Sequence, residues 1–230
     1  KKAKKSLGHN FLIDQNILEQ IVDTVQLKDR EVLEIGPGSG NLTKYILKKN
    51  PKKIYVIEKD ASLSLMLTER FNNEKNLNII NDDVLKISEN RISKEKLIVF
   101  GNLPYNISTE ILSKWIVNLG KEFWFTKLIL MFQKEVADRI IANFNTSDYG
   151  RLSILSHWKL DVTKILDIKP ESFSPKPKID SSLLLFSPKE NLFKIQNPKN
   201  LEMITRVFFN HRRKMIKKPF NQIFKNADQV

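Results

Sequence analysis

Cysteine does not occur in this chain, so disulfides and thiolate metal sites are excluded from its stability and its chemistry. Histidine is nearly as scarce. His9, His157 and His211 are scattered without metal-ligand spacing and read as surface or core residues, so no metal is expected. No apolar run is long enough to cross a bilayer, and the first residues carry no signal-peptide pattern. Neither a low-complexity linker nor an internal repeat is visible, and a cytoplasmic setting is expected. Acidic residues are the minority among charges: 26 Asp and Glu stand against 39 Lys and Arg, a formal net charge of +13. An excess of that size points to a polyanionic partner, nucleic acid ahead of an acidic membrane. The competing reading is a solvated, lysine-rich surface.

With 230 residues and 41% apolar content, the chain can bury one large domain plus a small appendage. Lys1, Lys2, Lys4 and Lys5 form a basic arm suited to phosphate. Asp14 is placed to cap a helix, because Ile17, Leu18, Ile21, Val22 and Val25 follow on one helical face. From Glu31 the pattern alternates. Short apolar strands are expected at 32–35, 54–57, 77–80, 97–100 and 128–132, with helices beginning at Leu42 and spanning 61–71. Met131 and Phe132 read as core, and Phe123, Trp124 and Phe125 as packing under the sheet rather than as a stacking platform. After Trp158, strands at 160–168 and 181–186 flank a proline-rich loop at 169–179, the pattern of a closing hairpin with a long functional loop. From Asn191 short helices are expected, with Leu201, Ile204, Val207 and Phe208 as an apolar stripe and Pro219 breaking the pattern. The expected fold class is α/β, a doubly wound and mostly parallel sheet over residues 1–187 followed by a small helical domain over 188–230.

The most informative stretch is Gly101-Asn102-Leu103-Pro104-Tyr105-Asn106-Ile107-Ser108. It sits where a central strand ends and a helix begins, the place where open α/β sheets bind ligands. Asn102 offers an amide oxygen that accepts from an amino group. Pro104 restrains its own φ and the residue before it, so the Leu103 carbonyl can face the same amine. Tyr105 offers a flat ring for a base. Together they suit a flipped-out adenine presented by its exocyclic amine; the plainer reading is a strand-to-helix turn. Three further strand ends aim at the same crevice. Gly36-Pro37-Gly38-Ser39-Gly40 lets the backbone approach a ligand closely, but Asn41 stands where a dinucleotide fingerprint has its third glycine, which counts against NAD. Glu58, about 20 residues on, can accept both hydroxyls of a ribose, and Asp83 can accept from an adenine amino group. Taken singly, each acid also reads as a solvated loop carboxylate.

With these residues in place, the chain resembles the ribosomal RNA adenine dimethyltransferases that use S-adenosylmethionine. The resemblance runs over residues 6–218. It includes Gly8-His9-Asn10-Phe11-Leu12, the run from Glu34 to Gly40, Glu58, Asp83 and the stretch from Asn102 to Ser108. It continues through the motif from Phe173 to Ser181 and Phe209-Asn210-His211-Arg212-Arg213-Lys214. Position 9 is His where the family usually has Gln, and the chain stops at Val230, short of where the family's helical domain is expected to finish. The resemblance implies a Rossmann-like methyltransferase fold and a cofactor site made by Asn10, Leu12, Gly36, Gly38, Glu58, Asp83 and Asn102. It implies as substrate a pair of adjacent adenines near the 3′ end of small-subunit rRNA, methylated by a monomer on an immature small ribosomal subunit during ribosome biogenesis. In the expected mechanism Asn102 and the Leu103 carbonyl hold the amine, while Pro104 fixes the turn. Tyr105 and Phe173 cover the two faces of the base. No base, metal or covalent nucleophile is needed, and positioning carries most of the acceleration. Lys4, Lys5, Arg206, Arg212, Arg213, Lys214, Lys217 and Lys218 are assigned to RNA phosphate. The alternatives are a large-subunit rRNA methyltransferase conferring macrolide-type resistance and a non-catalytic RNA- or DNA-binding factor on the same fold. A NAD-dependent oxidoreductase fails on the Asn41 spacing.

Overall fold

Short apolar runs bounded by turn residues become parallel strands, and the amphipathic stretches between them become the covering helices. In the computed structural model, residues 10–120, 122–212 and 214–224 are described. In chain order the elements are β1 (Phe11–Leu12), α1 (Gln15–Asp23), β2 (Glu31–Ile35), α2 (Asn41–Leu47), β3 (Lys53–Ile57), α3 (Ala61–Arg70), β4 (Leu77–Ile80), β5 (Leu97–Asn102) and α4 (Ser108–Asn118). They continue with β6 (Phe125–Gln133), α5 (Lys134–Ile141), α6 (Arg151–Lys159), β7 (Leu160–Ile168), β8 (Phe173–Ser174), β9 (Ser181–Pro188), α7 (Pro198–Asn210) and α8 (Lys217–Ile223). Seven strands make one sheet in the order β4-β3-β2-β5-β6-β9-β7, parallel from β4 to β6 and antiparallel across β6–β9 and β9–β7. β1 and β8 form a separate antiparallel pair.

Alternate residues of the central strands feed two apolar layers, as the period-two geometry of a strand requires. Leu33, Ile35, Val99, Leu128 and Leu130 pack with Ile111, Trp115 and Ile116 of α4. Val32, Ile98, Phe100, Ile129 and Met131 pack with Leu18, Ile21 and Val22 of α1 and Tyr45 and Ile46 of α2. The expected cap of α1 is present: Asp14 Oδ1 accepts from the backbone N–H groups of Asn16 and Ile17 at 3.0 and 3.3 Å. Phe123 and Phe125 are buried in the α4 layer, with Trp124 packed edge-on against Trp115 and Phe125. The core reading of that aromatic triplet therefore holds.

The closing hairpin also forms, with β9 between β6 and β7 and β7 at the sheet edge. Two helices between β6 and β7, α5 and α6, have no counterpart in the sequence reading. In α5, Val136, Ala137, Ile140 and Ile141 do recur at helical spacing, whereas in α6 Ser153, Ser156 and His157 break up a short apolar run and leave little period. One buried cation helps seat them: the Lys159 ammonium donates to the carbonyls of Ile116 (3.2 Å) and Leu119 (2.7 Å), partnering the buried C-terminal end of α4. Pro219, expected to break a helix, instead lies in the first turn of α8, where a missing backbone N–H costs nothing. Of the expected stripe on α7, Val207 is buried while Ile204 faces solvent.

Candidate active site

The chain builds β2, β3 and β4 outward on one side, then returns to place β5 on the other side of β2. That reversal opens a crevice beyond the carboxyl ends of β2 and β5, the switch point at which such sheets bind ligands. Gly36 follows β2 there with φ +65° and donates its N–H to the Ile57 carbonyl at 2.9 Å. Gly38 has φ +56°, and a Cβ added to it would stand 2.6 Å from the Phe11 ring; only glycine meets both demands. Glu58, just past β3, is 4% exposed. Its Oε2 accepts from the Gly38 N–H at 3.2 Å and its Oε1 from the Asp60 N–H at 2.8 Å, so the turn and the acid hold each other. The Asn81 amide, donating to the Glu58 carbonyl at 2.7 Å, fixes the backbone behind it.

Asp83 enters from beyond β4. The Lys59 ammonium at 2.7 Å holds its carboxyl below the ordinary value against the opposing effect of burial, with help from the Leu85 N–H. It is therefore an acceptor at neutral pH. On the opposite wall Asn102 ends β5. Its Nδ2 donates to the Asn10 carbonyl at 3.0 Å, which leaves Oδ1 as the free acceptor of the amide. The Tyr105 hydroxyl is bonded to Ser181 Oγ at 2.6 Å, and burial raises the phenol, opposed by that bond, so it stays neutral. Asn10, Gly36, Gly38, Glu58, Asp83, Asn102, Leu103, Pro104 and Tyr105 all line one cleft of about 160 Å³. Ile57 and Ile107 supply apolar wall.

A family model described as ribosomal RNA adenine dimethylase matches residues 1–229. The chain belongs to this family. Among this dimethylase's relatives is a ribosomal RNA small subunit methyltransferase A from Pelagibacter ubique (strain HTCC1062), 70% identical over 229 residues, covering 100% of this chain and 87% of that protein. A protein of the same description from Wolbachia sp. subsp. Drosophila simulans (strain wRi) is 41% identical over 231 residues, covering 100% and 84%. A solved dimethyladenosine transferase from Plasmodium falciparum superposes with a TM-score of 0.77 at 33% identity, over 92% of this chain and 74% of that one.

Two residues expected at the cofactor and base site are not brought to the cleft of this dimethylase. Phe173 is 3% exposed and pairs with Leu12 across β8 and β1. Its ring belongs to the apolar layer under α1, because the strand pairing turns it inward. The ring is therefore not among the residues that line the cleft. Leu12 is buried in the same layer, and its carbonyl is taken by the Asn41 amide at 2.8 Å. It lines a separate small cavity of about 30 Å³ behind the glycine turn. Of the residues assigned to RNA phosphate, Arg206, Arg212, Lys214, Lys217 and Lys218 are exposed, while Lys4, Lys5 and Arg213 lie outside the described residues.

Three site residues had no role in the sequence reading. Ser181 and Glu34 stood inside motifs without one, and Lys59 adjoined Glu58, which was the only signal for it. Glu34 is 2% exposed beneath the glycine turn. Burial, with a smaller push from the Glu58 charge, raises its carboxyl from 4.5 to about 8 despite the 2.6 Å bond it accepts from Thr43 Oγ1. It is protonated at neutral pH.

Proposed function

We propose that this chain dimethylates the exocyclic amines of two adjacent adenines near the 3′ end of small-subunit rRNA, with S-adenosylmethionine as methyl donor. In this reading it acts as a cytoplasmic monomer on an immature small ribosomal subunit during ribosome biogenesis. Residues 1–187 carry the methyl transfer and 188–230 a helical RNA-binding part. The observation that carries the reading is the meeting, in one cleft, of an acid-and-glycine cradle from β2, β3 and β4 with the Asn102–Tyr105 wall from β5.

The residues present suit the cofactor. At Gly36 and Gly38 no side chain blocks the turn, and a Cβ at either would face the Asn102 carbonyl or the Phe11 ring. Both Glu58 oxygens keep a lone pair beyond the backbone bonds they accept, which suits two ribose hydroxyls. Asp83, kept ionised by Lys59, suits an adenine amino group. When bound, S-adenosylmethionine supplies a methyl on a sulfonium whose departure leaves a neutral thioether. Asn102 Oδ1 and the Leu103 carbonyl accept from the target amine, so its lone pair is less drawn into the ring and is turned outward. Tyr105 stacks against the base, with its hydroxyl anchored to Ser181. The neutral thioether needs no acid to leave, and the proton that the nitrogen sheds once its bond to the methyl has formed passes to solvent, so alignment is the main contribution of the protein.

The test is methyl transfer to isolated small and large ribosomal subunits that lack the modification, with products mapped by nucleotide. Two neighbouring dimethyladenosines are expected. Methylation confined to the large subunit selects the resistance-type reading, and an absence of both transfer and calorimetric cofactor binding selects the non-catalytic one.

A further inference from the structure

The loop joining α5 to α6 exposes a large aromatic ring that the fold does not use. Phe144 is 80% exposed, yet its loop is ordered by successive turns. The Thr146 N–H and hydroxyl both donate to the Asn143 carbonyl (3.3 and 2.8 Å), and the Tyr149 N–H donates to the Thr146 carbonyl at 3.3 Å. The ring packs edge-to-face with Tyr149 at 5.7 Å and 86°, and Tyr149 in turn meets Phe209 of α7 at 6.3 Å and 72°. Arg212, just past α7, places its guanidinium 5.6 Å from the Phe209 ring centre and donates to the Ser147 carbonyl at 2.9 Å. The loop is thus tied to the end of α7 by a hydrogen bond and a run of rings. The result is a stepped ledge with an open aromatic face at one end and an exposed cation at the other. None of its residues lines the methyl-transfer cleft.

An open ring at one end of the ledge and a guanidinium at the other match one chemistry well: unpaired nucleic acid with a base stacked on the ring and a phosphate on the cation. The net charge of +13 favours such a polyanion over a basic or apolar surface. We propose that Phe144, Tyr149 and Arg212 form a second RNA-binding site that takes an unpaired segment of the substrate rRNA, with a base on Phe144 and a phosphate on Arg212. This rests on the proposed rRNA substrate. The site holds the RNA away from the reacting amine, so it contributes to affinity and not to the chemical step.

The experiment compares the parent chain with Phe144→Ala, Phe144→Tyr and Phe144→Leu. It measures retention of unmethylated small ribosomal subunits, the KM and kcat for methyl transfer to them, and thermal melting. Phe144→Ala is expected to weaken binding by on the order of tenfold, as loss of one stacked base does. KM should rise in proportion, with kcat, melting and cofactor affinity unchanged. Phe144→Tyr restores parent affinity and Phe144→Leu does not, because a flat face is required. Parent-like affinity in Phe144→Ala overturns the proposal. So does full rescue by Phe144→Leu, which marks an apolar contact with a protein partner instead. A parent chain that does not retain small subunits refutes the substrate reading itself, a result distinct from either.

Discussion

The Nδ2 group of Asn102 reaches back to the carbonyl of Asn10 at 3.0 Å, a partner 92 positions earlier in the chain. That bond selects the amide orientation in which Oδ1 is available to an amine. Asn102→Ala should nearly abolish turnover. Asn102→Asp is the sharper test, because it keeps an acceptor but sets a carboxylate oxygen against the Asn10 carbonyl. Replacing a hydrogen bond by an unsatisfied contact costs about 1–3 kcal/mol, so single-turnover methyl transfer should slow roughly ten- to a hundredfold at saturating cofactor. Tyr105→Phe retains the ring and loses only the Ser181 bond, so it should stay near parent activity, whereas Tyr105→Ala loses a stacking surface worth about 1–3 kcal/mol. The placement of Asn102 and Tyr105 at the cleft was legible from residue type and position alone. The partners Asn10 and Ser181 that orient them were not, since nothing local links residues so far apart.

At the scale of the element, the β2–α2 turn is shaped from both sides. Gly38→Ala puts a side chain into a left-handed backbone and against the Phe11 ring, which costs about 1–2 kcal/mol for the backbone alone. Melting temperature and calorimetric cofactor affinity should both fall. Beneath the same turn, Glu34 titrates at 4.5 when unfolded and at about 8 in the fold. Between those values the native state binds the extra proton, so stability falls as pH rises, by at most about 1.4 kcal/mol per pH unit. The loss levels off above the folded value. Glu34→Gln should flatten that part of the stability curve and be more stable than the parent at pH 8.5, as read by denaturant unfolding; an unchanged slope removes Glu34 as its source. The strands and the glycine turn were readable as alternating apolar runs and punctuation. Phe173 was not, because its inward facing comes from the β1–β8 pairing, a contact between Leu12 and a residue far along the chain.

Over the whole molecule, the cationic excess acts as a field rather than as a set of contacts. If about six phosphates are neutralised, affinity for small subunits should drop on the order of a thousandfold between 50 and 200 mM salt. Filter retention across that range checks it, and a flat response removes the assignment of the basic C-terminal residues to phosphate. The sequence by itself determined the class of sheet, the four strand ends that converge, and the family, because each is written in short-range pattern: apolar period, turn residues and motif spacing. Only the tertiary structure decided which motif residues face the cleft, which ones the β1–β8 pair turns into the core, and that a loop and a distant helix end meet at the Phe144 ledge. Those outcomes depend on long-range packing and strand register, which a linear pattern does not encode.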